Sequence, residues 1–481
     1  MAEIHTRLLT EKLIKPSTPT PENLNRLSLS LLDNLSPSTY INIIYYYNPI
    51  INQPTPHDHQ TRLHLQKSLA DTLTAFYPLA GRYDRDDRSV KCDDQGVGYA
   101  EVEVEGCRIV DFLDHLHGQR PCLDQYILLP HLGVAGPFPD GGCGDLAGNS
   151  STPLVAIQVN LFKCGGAAIG VCVWHKIADS HTTIEFINAW VGRSKHFIGA
   201  KGNLQITGDD KVELQRLSFN GGSFFPVKNF PVEMPPLGHD MEVVTRRFVL
   251  NARDVSSMRT EFKEYISKVN GGGASVRTPS RVTLVTAVFW KALIGATAAI
   301  RHTRLRPSLL SPAMNLRGRT SFPAISNDSS GNFWTPFVAH FKPAANNEDN
   351  NKATLTWQDL VGPITDAMQT MLNLVQHGSG DEISLAAIKA FKEVQETMAA
   401  GGHGGEEVDA FICSSWCRFA LYEADFGWGK PACVSVDNRS EMFVLMDSSG
   451  GDEGIDVWVS MDEDKMQLLE QDPHIIAFTS T

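Results

Sequence analysis

Two nearly continuous apolar segments, residues 153–163 (PLVAIQVNLFK) and 167–176 (AAIGVCVWHK), constrain the fold of this chain most strongly. Short apolar runs bounded by glycine and lysine are typical of buried strands. The alternating segment 96–106 (GVGYAEVEVEG) and the aromatic run 41–47 (INIIYYY) predict further strands. Apolar residues at helical spacing in 61–78 predict a helix that stops at its final proline. The alternation of the two patterns predicts a mixed α/β fold.

The length of 481 residues exceeds what one ordinary hydrophobic core serves, so two domains are expected. Residues 196–242 are rich in Gly, Pro and Phe and lack a clear periodicity, which predicts an irregular crossover. We therefore expect an N-terminal lobe over 1–195 and a C-terminal lobe over 243–481.

Charge and composition exclude several classes of partner. A net charge of −13 argues against a general nucleic-acid binder, whose surface is basic. Residues 1–21 are charged throughout and lack the apolar segment of a secretion signal, and no run of 18 apolar residues predicts a membrane span. The nine cysteines are scattered without a CxxC pair, which favours a reduced, cytoplasmic setting.

Several motifs of known chemistry are missing or incomplete. The chain has no Walker phosphate loop and no GxSxG nucleophile elbow. The segment 427–432 (GWGKPA) matches half of a dinucleotide fingerprint but lacks its third small residue. The histidines of 56–64 (PHDHQTRLH) lie in a polar segment before a helix, which favours a solvated turn over a metal site. No metal is expected.

The pattern HxxxD occurs twice, as HKIAD (175–179) and HGSGD (377–381). The second follows a helical segment and contains two glycines, which predicts the end of a helix. The first ends an apolar strand, and the loops that follow strands in mixed α/β folds often contain reactive groups. His175 is therefore the candidate general base, with a histidine that only satisfies backbone groups as the alternative.

The role of Asp179 is left open by its spacing from His175. In a helical turn the two side chains would share a face, and the carboxylate could orient the imidazole. If His175 is the last residue of a strand, the side chains point apart and Asp179 needs another partner. Arg317 in NLRGR (315–319) is the candidate, because a guanidinium pairs with a carboxylate through two hydrogen bonds. A plain surface arginine is the alternative.

A second notable segment is 422–431 (YEADFGWGKP), in which Gly427 and Gly429 flank Trp428. Two glycines and a following proline predict a tight loop with unusual backbone angles. An aspartate at Asp425 can act in acid–base chemistry, but an aspartate in such a loop more often accepts backbone N–H bonds. We expect it to be structural.

Taken together, these segments resemble the plant BAHD acyl-CoA-dependent acyltransferases over nearly the whole chain. The shared motifs, in chain order, are LSLLDN (29–34), FYPLAGR (76–82), HKIAD (175–179), NLRGR (315–319) and DFGWG (425–429). Each motif alone is common, and their order and spacing are specific. Within the family, the chain is most similar to the branch of vinorine synthase and other alkaloid and terpenoid acetyltransferases.

The resemblance implies two similarly sized lobes, as in chloramphenicol acetyltransferase, with a solvent channel at their interface. His175 is then the catalytic base, and Asp179 is structural and pairs with Arg317. The DFGWG loop supports the fold away from the reacting atoms, through Asp425, Gly427, Trp428 and Gly429.

The SSW segment (414–416) matches residues near the reaction centre of some relatives, which makes Ser414 and Trp416 candidates for oxyanion or substrate contacts. The chain departs from the family at SSGN (329–332), where many relatives have an aromatic pair before Gly-Asn.

The implied reaction is direct transfer from acyl-CoA, expected to be acetyl-CoA, to a hydroxyl group of a specialised metabolite such as an alkaloid or terpenoid. Acyl-CoA is a co-substrate, and no tightly bound cofactor is expected. The expected partners are small molecules, without nucleic acid or membrane, and the expected state is a cytoplasmic monomer. The alternatives are transfer to nitrogen, transfer of benzoyl or another acyl group, hydrolysis of small esters, and ligand binding without catalysis.

Overall fold

The computed structural model describes residues 4–50, 55–117, 128–129, 152–197, 217–227, 243–269, 278–343, 355–400, 408–438 and 440–479. Most of the predicted crossover, residues 198–216 and 228–242, lies outside these ranges.

Strands and helices alternate along the chain, which confirms the predicted mixed α/β class. The strands are β1 (His5–Ile14), β2 (Arg26–Ser28), β3 (Tyr40–Tyr47), β4 (Arg82–Asp84), β5 (Ser89–Lys91), β6 (Val97–Glu105), β7 (Val155–Phe162), β8 (Ala167–Trp174), β9 (Val244–Leu250), β10 (Ser308–Asn315), β11 (Trp334–Pro336), β12 (Ala339–Phe341), β13 (Asp409–Ser415), β14 (Cys433–Val436), β15 (Met442–Asp447) and β16 (Ile455–Met461). The helices are α1 (Leu31–Leu35), α2 (His59–Ala75), α3 (Ile109–His117), α4 (Ser180–Phe197), α5 (Gly221–Phe224), α6 (Ala252–Val269), α7 (Arg281–Ile300), α8 (Trp357–His377), α9 (Gly380–Ala400), α10 (Glu463–Glu470) and α11 (Pro473–Phe478).

The chain forms two compact units whose boundary falls inside the predicted crossover. The first unit comprises Met1–Pro236 with two later segments, Ser326–Phe333 and Phe419–Asp437. The second comprises Leu237–Ile325, Trp334–Arg418 and Asn438–Thr481. The predicted lobes, 1–195 and 243–481, differ from these units in the two short segments.

The first unit is built on a six-stranded sheet with the order β1-β6-β7-β8-β3-β14. The two apolar segments form its central antiparallel pair, β7 and β8, in which every residue is buried. Helix α4 packs against α2, where the indole N–H of Trp190 donates to Leu65 O (3.0 Å) and lies 3.1 Å from Ser68 Oγ. The apolar runs thus form the interior of this sheet, as predicted.

Strand β14 explains why the DFGWG segment groups with the first unit, although we predicted it in the C-terminal lobe. The short segment CVSV is fully buried and pairs antiparallel with β3. The side-chain oxygens of Ser435 and Tyr46 lie 3.0 Å apart in this pair. A late part of the chain therefore completes the first sheet.

The second unit has a seven-stranded sheet with the order β11-β10-β13-β15-β16-β9, in which β12 also pairs with β10. Its core contains the apolar helix α7. Ser280 caps the start of this helix, and its side chain accepts from Thr283 N (3.1 Å). By length and composition α7 is apolar enough to cross a membrane, but 72% of its most apolar window is buried inside the protein. We interpret α7 as a core helix.

Candidate active site

The HKIAD segment forms the connection between β8 and α4. Strand β8 ends at Trp174, residues 175–177 form a turn, and α4 begins at Ser180. His175 N donates to the backbone O of Thr39 (2.9 Å), the residue that precedes β3. Within the turn, Ile177 N donates to Trp174 O (3.1 Å). His175 is therefore fixed at the end of a central strand, as predicted, and its side chain is partly buried.

The imidazole of His175 is paired with Asn332. Its Nδ1 lies 3.2 Å from Asn332 Oδ1, and Asn332 Nδ2 donates to the backbone O of His175 (2.8 Å). Asn332 is buried, with 1% of its surface exposed. Because Nδ1 makes this contact, Nε2 is the ring nitrogen to consider for proton transfer.

Asp179 fixes the chain segment that contains Asn332. Its Oδ1 accepts from Thr182 N (2.9 Å) at the start of α4, and its Oδ2 accepts from Phe333 N (3.0 Å). Thr182 Oγ1 donates to Gly331 O (2.9 Å) and lies 3.1 Å from Gly331 N. The carboxylate thus contacts the residue after Asn332, while Nδ1 of the imidazole pairs with Asn332 itself.

Burial lowers the pKa of His175, so its imidazole is mostly neutral at pH 7. The charge of Asp179 and the hydrogen bond to Asn332 oppose this shift, and the neighbouring Lys176 adds to it. Lys176 is itself mostly buried, which lowers its pKa to about 8. Its ammonium donates to Asn34 O (2.9 Å) and Ser36 O (2.8 Å), at the end of α1.

Three predicted site residues belong to the second unit. Arg317 follows β10 and is buried, with its Nη1 3.2 Å from Asn315 Oδ1, and its pairing with Asp179 stays a prediction.

Trp416 follows β13, and its indole N–H donates to Ser414 Oγ (3.1 Å). A serine hydroxyl that accepts this bond still has its own proton to donate. The oxyanion role of the pair also stays a prediction.

The DFGWG loop is held by Asp425, whose Oδ1 accepts from Gly427 N (2.9 Å) and Gly429 N (2.8 Å). Its Oδ2 lies 3.2 Å from Lys195 Nζ, and these contacts lower the pKa of Asp425 against the effect of its partial burial. Both glycines have positive φ angles, 111° and 108°. The carboxylate therefore folds the loop, in the manner that the sequence predicts.

The aromatic side chains of DFGWG pack into the first unit, at the far end of α4 from His175. Trp428 stacks on Phe426 (centroids 5.4 Å apart) and meets the edge of Tyr47 (5.9 Å), and Phe426 contacts Trp190 (4.7 Å). Lys195 lies fifteen residues after Ser180 in α4, which is about 22 Å along a helix. The loop is thus remote from the imidazole.

Two other histidines of the sequence analysis, His181 and His377, lie at the ends of helices. His181 is in the first turn of α4, with Nε2 3.1 Å from Asn327 O and its ring against Phe419 (5.5 Å). In the second HxxxD, His377 is the last residue of α8, which confirms the predicted helix end. Across the described ranges, no group of three or more His, Cys, Asp or Glu side chains is arranged to hold a metal ion.

Asn332 contacts His175 in the described part of the chain, and it is not identified as a site residue in the sequence analysis. It belongs to the SSGN segment, which was noticed only for its departure from the family pattern. The serines that replace the aromatic pair, Ser329 and Ser330, are both buried. The Gly-Asn pair of this segment matches the family pattern, and Asn332 is the residue of the pair that contacts His175.

The geometry of the DFGWG loop predicts a cost for Gly429→Ala. At φ 108° a Cβ is strained, and it would lie 2.4 Å from Ile50 Cδ1. Backbone strain of this kind costs about 1–3 kcal/mol, so we expect a lower thermal unfolding midpoint.

Gly192→Ala in α4 is the matched control, because a Cβ there meets no atom within 4 Å. Alanine is favoured over glycine inside a helix by about 0.5–1 kcal/mol, so this midpoint should stay or rise. Equal midpoints for the two variants would contradict a strained position at Gly429.

The chain is similar to known proteins over nearly its whole length. The model of the Transferase family matches residues 4–475. Acetyl-CoA-benzylalcohol acetyltransferase of Clarkia breweri is 32% identical over 98% of this chain and 99% of its own, and stemmadenine O-acetyltransferase of Catharanthus roseus is 30% identical over 97% and 96%.

Vinorine synthase of Rauvolfia serpentina is 32% identical over 96% of this chain and 95% of its own. The crystal structure of vinorine synthase matches with a TM-score of 0.74 at 28% identity, covering 99% of this chain and 98% of that one. The similarity of sequence and of fold extends over nearly the whole chain. The chain belongs to the Transferase family as a BAHD acyl-CoA-dependent acyltransferase.

Proposed function

We propose that this enzyme transfers an acetyl group from acetyl-CoA to a hydroxyl group of a plant specialised metabolite, such as an alkaloid or terpenoid, with His175 as general base. The main support is the fixed imidazole of His175, whose Nδ1 is paired with Asn332. The names of the relatives support acetyl-CoA as donor and oxygen as acceptor.

In the proposed reaction, Nε2 of His175 removes the proton of the acceptor hydroxyl while the oxygen attacks the thioester carbonyl. The carbon–sulfur bond then breaks, and the imidazolium returns the proton to the sulfur, which yields the ester and free CoA. A neutral imidazole near pH 7 suits both steps, and such assistance typically accelerates a reaction by about 10²–10⁴-fold. Ser414 is proposed to stabilise the oxyanion as a hydrogen-bond donor, with its hydroxyl oriented by the indole N–H of Trp416.

The remaining residues of the site are proposed to support it. Asp179 maintains the segment next to Asn332, and Arg317 is its proposed partner. The loop of Asp425, Gly427, Trp428 and Gly429 stabilises the fold. Substrates are proposed to enter through a channel that excludes water, which suppresses hydrolysis of the thioester.

We further propose that the enzyme acts as a cytoplasmic monomer. The cysteines of the described ranges are free thiols, as is usual in a reducing compartment. The monomeric state rests on the resemblance to the family alone.

A product assay tests the proposed reaction. Purified protein is incubated with acetyl-CoA and a panel of alkaloid, terpenoid and phenolic alcohols, with a matched panel of amines, and products are identified by mass spectrometry. We expect an O-acetyl ester and one CoA released per ester formed. Amides as the main products would favour transfer to nitrogen. Exclusive use of benzoyl-CoA would indicate a different acyl donor. Release of CoA without any acceptor would indicate a hydrolase.

Replacing the base tests the mechanism. We expect His175→Ala to lower turnover by at least about 100-fold, the lower range of general-base catalysis, with an unchanged circular dichroism spectrum. His181→Ala is the matched control, because His181 lies six residues away and contacts Asn327 O and Phe419. A His175→Ala enzyme within tenfold of the wild type would contradict the assignment.

The pH profile provides a third test. The base works only when neutral, and burial lowers the pKa of His175 from 6.5. The plot of kcat/KM should therefore be level near pH 7 and fall on the acid side with a midpoint below 6.5. Asp179 and Lys176 are the charged groups that act on this imidazole. A midpoint above 6.5 would contradict a buried imidazole as the base.

Lys176 needs its own control, since its pKa of about 8 gives it a titration on the alkaline side. Lys176→Arg keeps a positive charge over the whole pH range. If the fall of kcat/KM on the acid side has the same midpoint in this variant, that fall is assigned to the titration of His175.

A further inference from the structure

Asp33, in the LSLLDN segment, lies directly behind Asn332 and is buried, with 7% of its surface exposed. Its Oδ1 accepts from Asn332 N (3.1 Å) and Asn332 Nδ2 (2.9 Å). Its Oδ2 accepts from Ser30 N (2.8 Å) and Ser30 Oγ (2.7 Å). Burial raises the pKa of Asp33, and these four hydrogen bonds oppose that rise. Each of the four partners is a donor, which suits an ionised carboxylate.

These contacts determine which way the carboxamide of Asn332 faces. Its Nδ2 meets two oxygens, Asp33 Oδ1 and the backbone O of His175, and neither oxygen has a proton to donate when Asp33 is ionised. A carboxamide turned by 180° would place its own oxygen against both of them. The NH₂ group must therefore face Asp33, and the amide oxygen must face the imidazole.

The facing of the carboxamide in turn determines the tautomer of His175. An amide oxygen is only an acceptor, so Nδ1 has to carry the proton of the neutral imidazole. The lone pair then lies on Nε2. An imidazole with its proton on Nε2 would have no basic atom available there.

We infer that Asp33 is a positioning residue that acts through Asn332 to keep the neutral His175 in the Nδ1–H form. This inference rests on the proposed function, because it matters for turnover only if His175 is the base. Residues 33, 332 and 175 thus form one hydrogen-bonded series, with the carboxylate behind an amide rather than directly on the imidazole.

The test compares Asp33→Ala and Asp33→Asn with Ser30→Ala. Asp33→Ala removes the acceptor behind Asn332, and Asp33→Asn replaces the carboxylate with a weaker acceptor that can also face Asn332 with its NH₂ group. Ser30→Ala is the matched control, since it removes a contact to the same carboxylate and to the start of α1 but none to Asn332. Circular dichroism and thermal unfolding show which variants are folded.

Two readouts are needed, kinetics and the tautomer. We expect kcat to fall at least about tenfold in Asp33→Ala, which is less than the loss of the whole general-base contribution of about 10²–10⁴-fold, with KM values for both substrates within about threefold. Asp33→Asn should lie between that variant and the wild type, and Ser30→Ala should lose less kcat than either. Histidine-labelled ¹⁵N NMR near pH 8, where the imidazole is neutral, should show an Nε2–H fraction of His175 in the Asp33 variants only. The His175→Ala spectrum identifies the signal.

The inference would be overturned if Asp33→Ala had the kcat of the wild type and its His175 were entirely in the Nδ1–H form. If the alanine variant does not fold, the same two measurements on Asp33→Asn decide the question. A loss in Ser30→Ala as large as that in Asp33→Ala would also overturn it, because the effect would then belong to the start of α1. Failure of the proposed function is a different result, namely full activity of His175→Ala, and the NMR readout does not depend on it.

Discussion

The hydrogen bond between Asn332 Oδ1 and His175 Nδ1 is the interaction on which the rest of the site depends. An imidazole at the end of a strand can rotate, and it becomes a directed base only when one ring nitrogen is fixed. The backbone contact of His175 N with Thr39 O places the residue, and the amide orients its ring.

Asp179 contacts the segment that contains Asn332 and does not depend on a direct contact with the imidazole for this. It accepts from Thr182 N at the start of α4 and from Phe333 N in the segment of Asn332. One side chain thereby joins the helix after the HKIAD turn to the segment that orients the imidazole. The aspartate of HxxxD thus contacts a segment that lies more than 150 residues later in the chain.

The sequence allowed prediction of the parts that depend on local patterns. The apolar runs predicted β7 and β8, the local patterns predicted His175 at the end of a strand and His377 at the end of a helix, and the glycines of DFGWG predicted a loop folded around Asp425. Asn332 could not be found in this way, because its contacts with His175 and Asp33 join residues 157 and 299 positions apart. For the same reason, a division at the crossover does not show that residues 326–333 and 419–437 group with the first unit.

Strand β14 has a consequence for how this chain is made. The edge of β3 that it covers belongs to the run INIIYYY, one of the most apolar parts of the first sheet. A ribosome has to add residues up to 436 before that edge finds its partner, so nearly the whole chain is synthesised first. A fragment that ends in the crossover presents an uncovered apolar strand edge, which is a site for aggregation. The first unit therefore includes residues as late as 437 and is not a domain that can be cut out at residue 236.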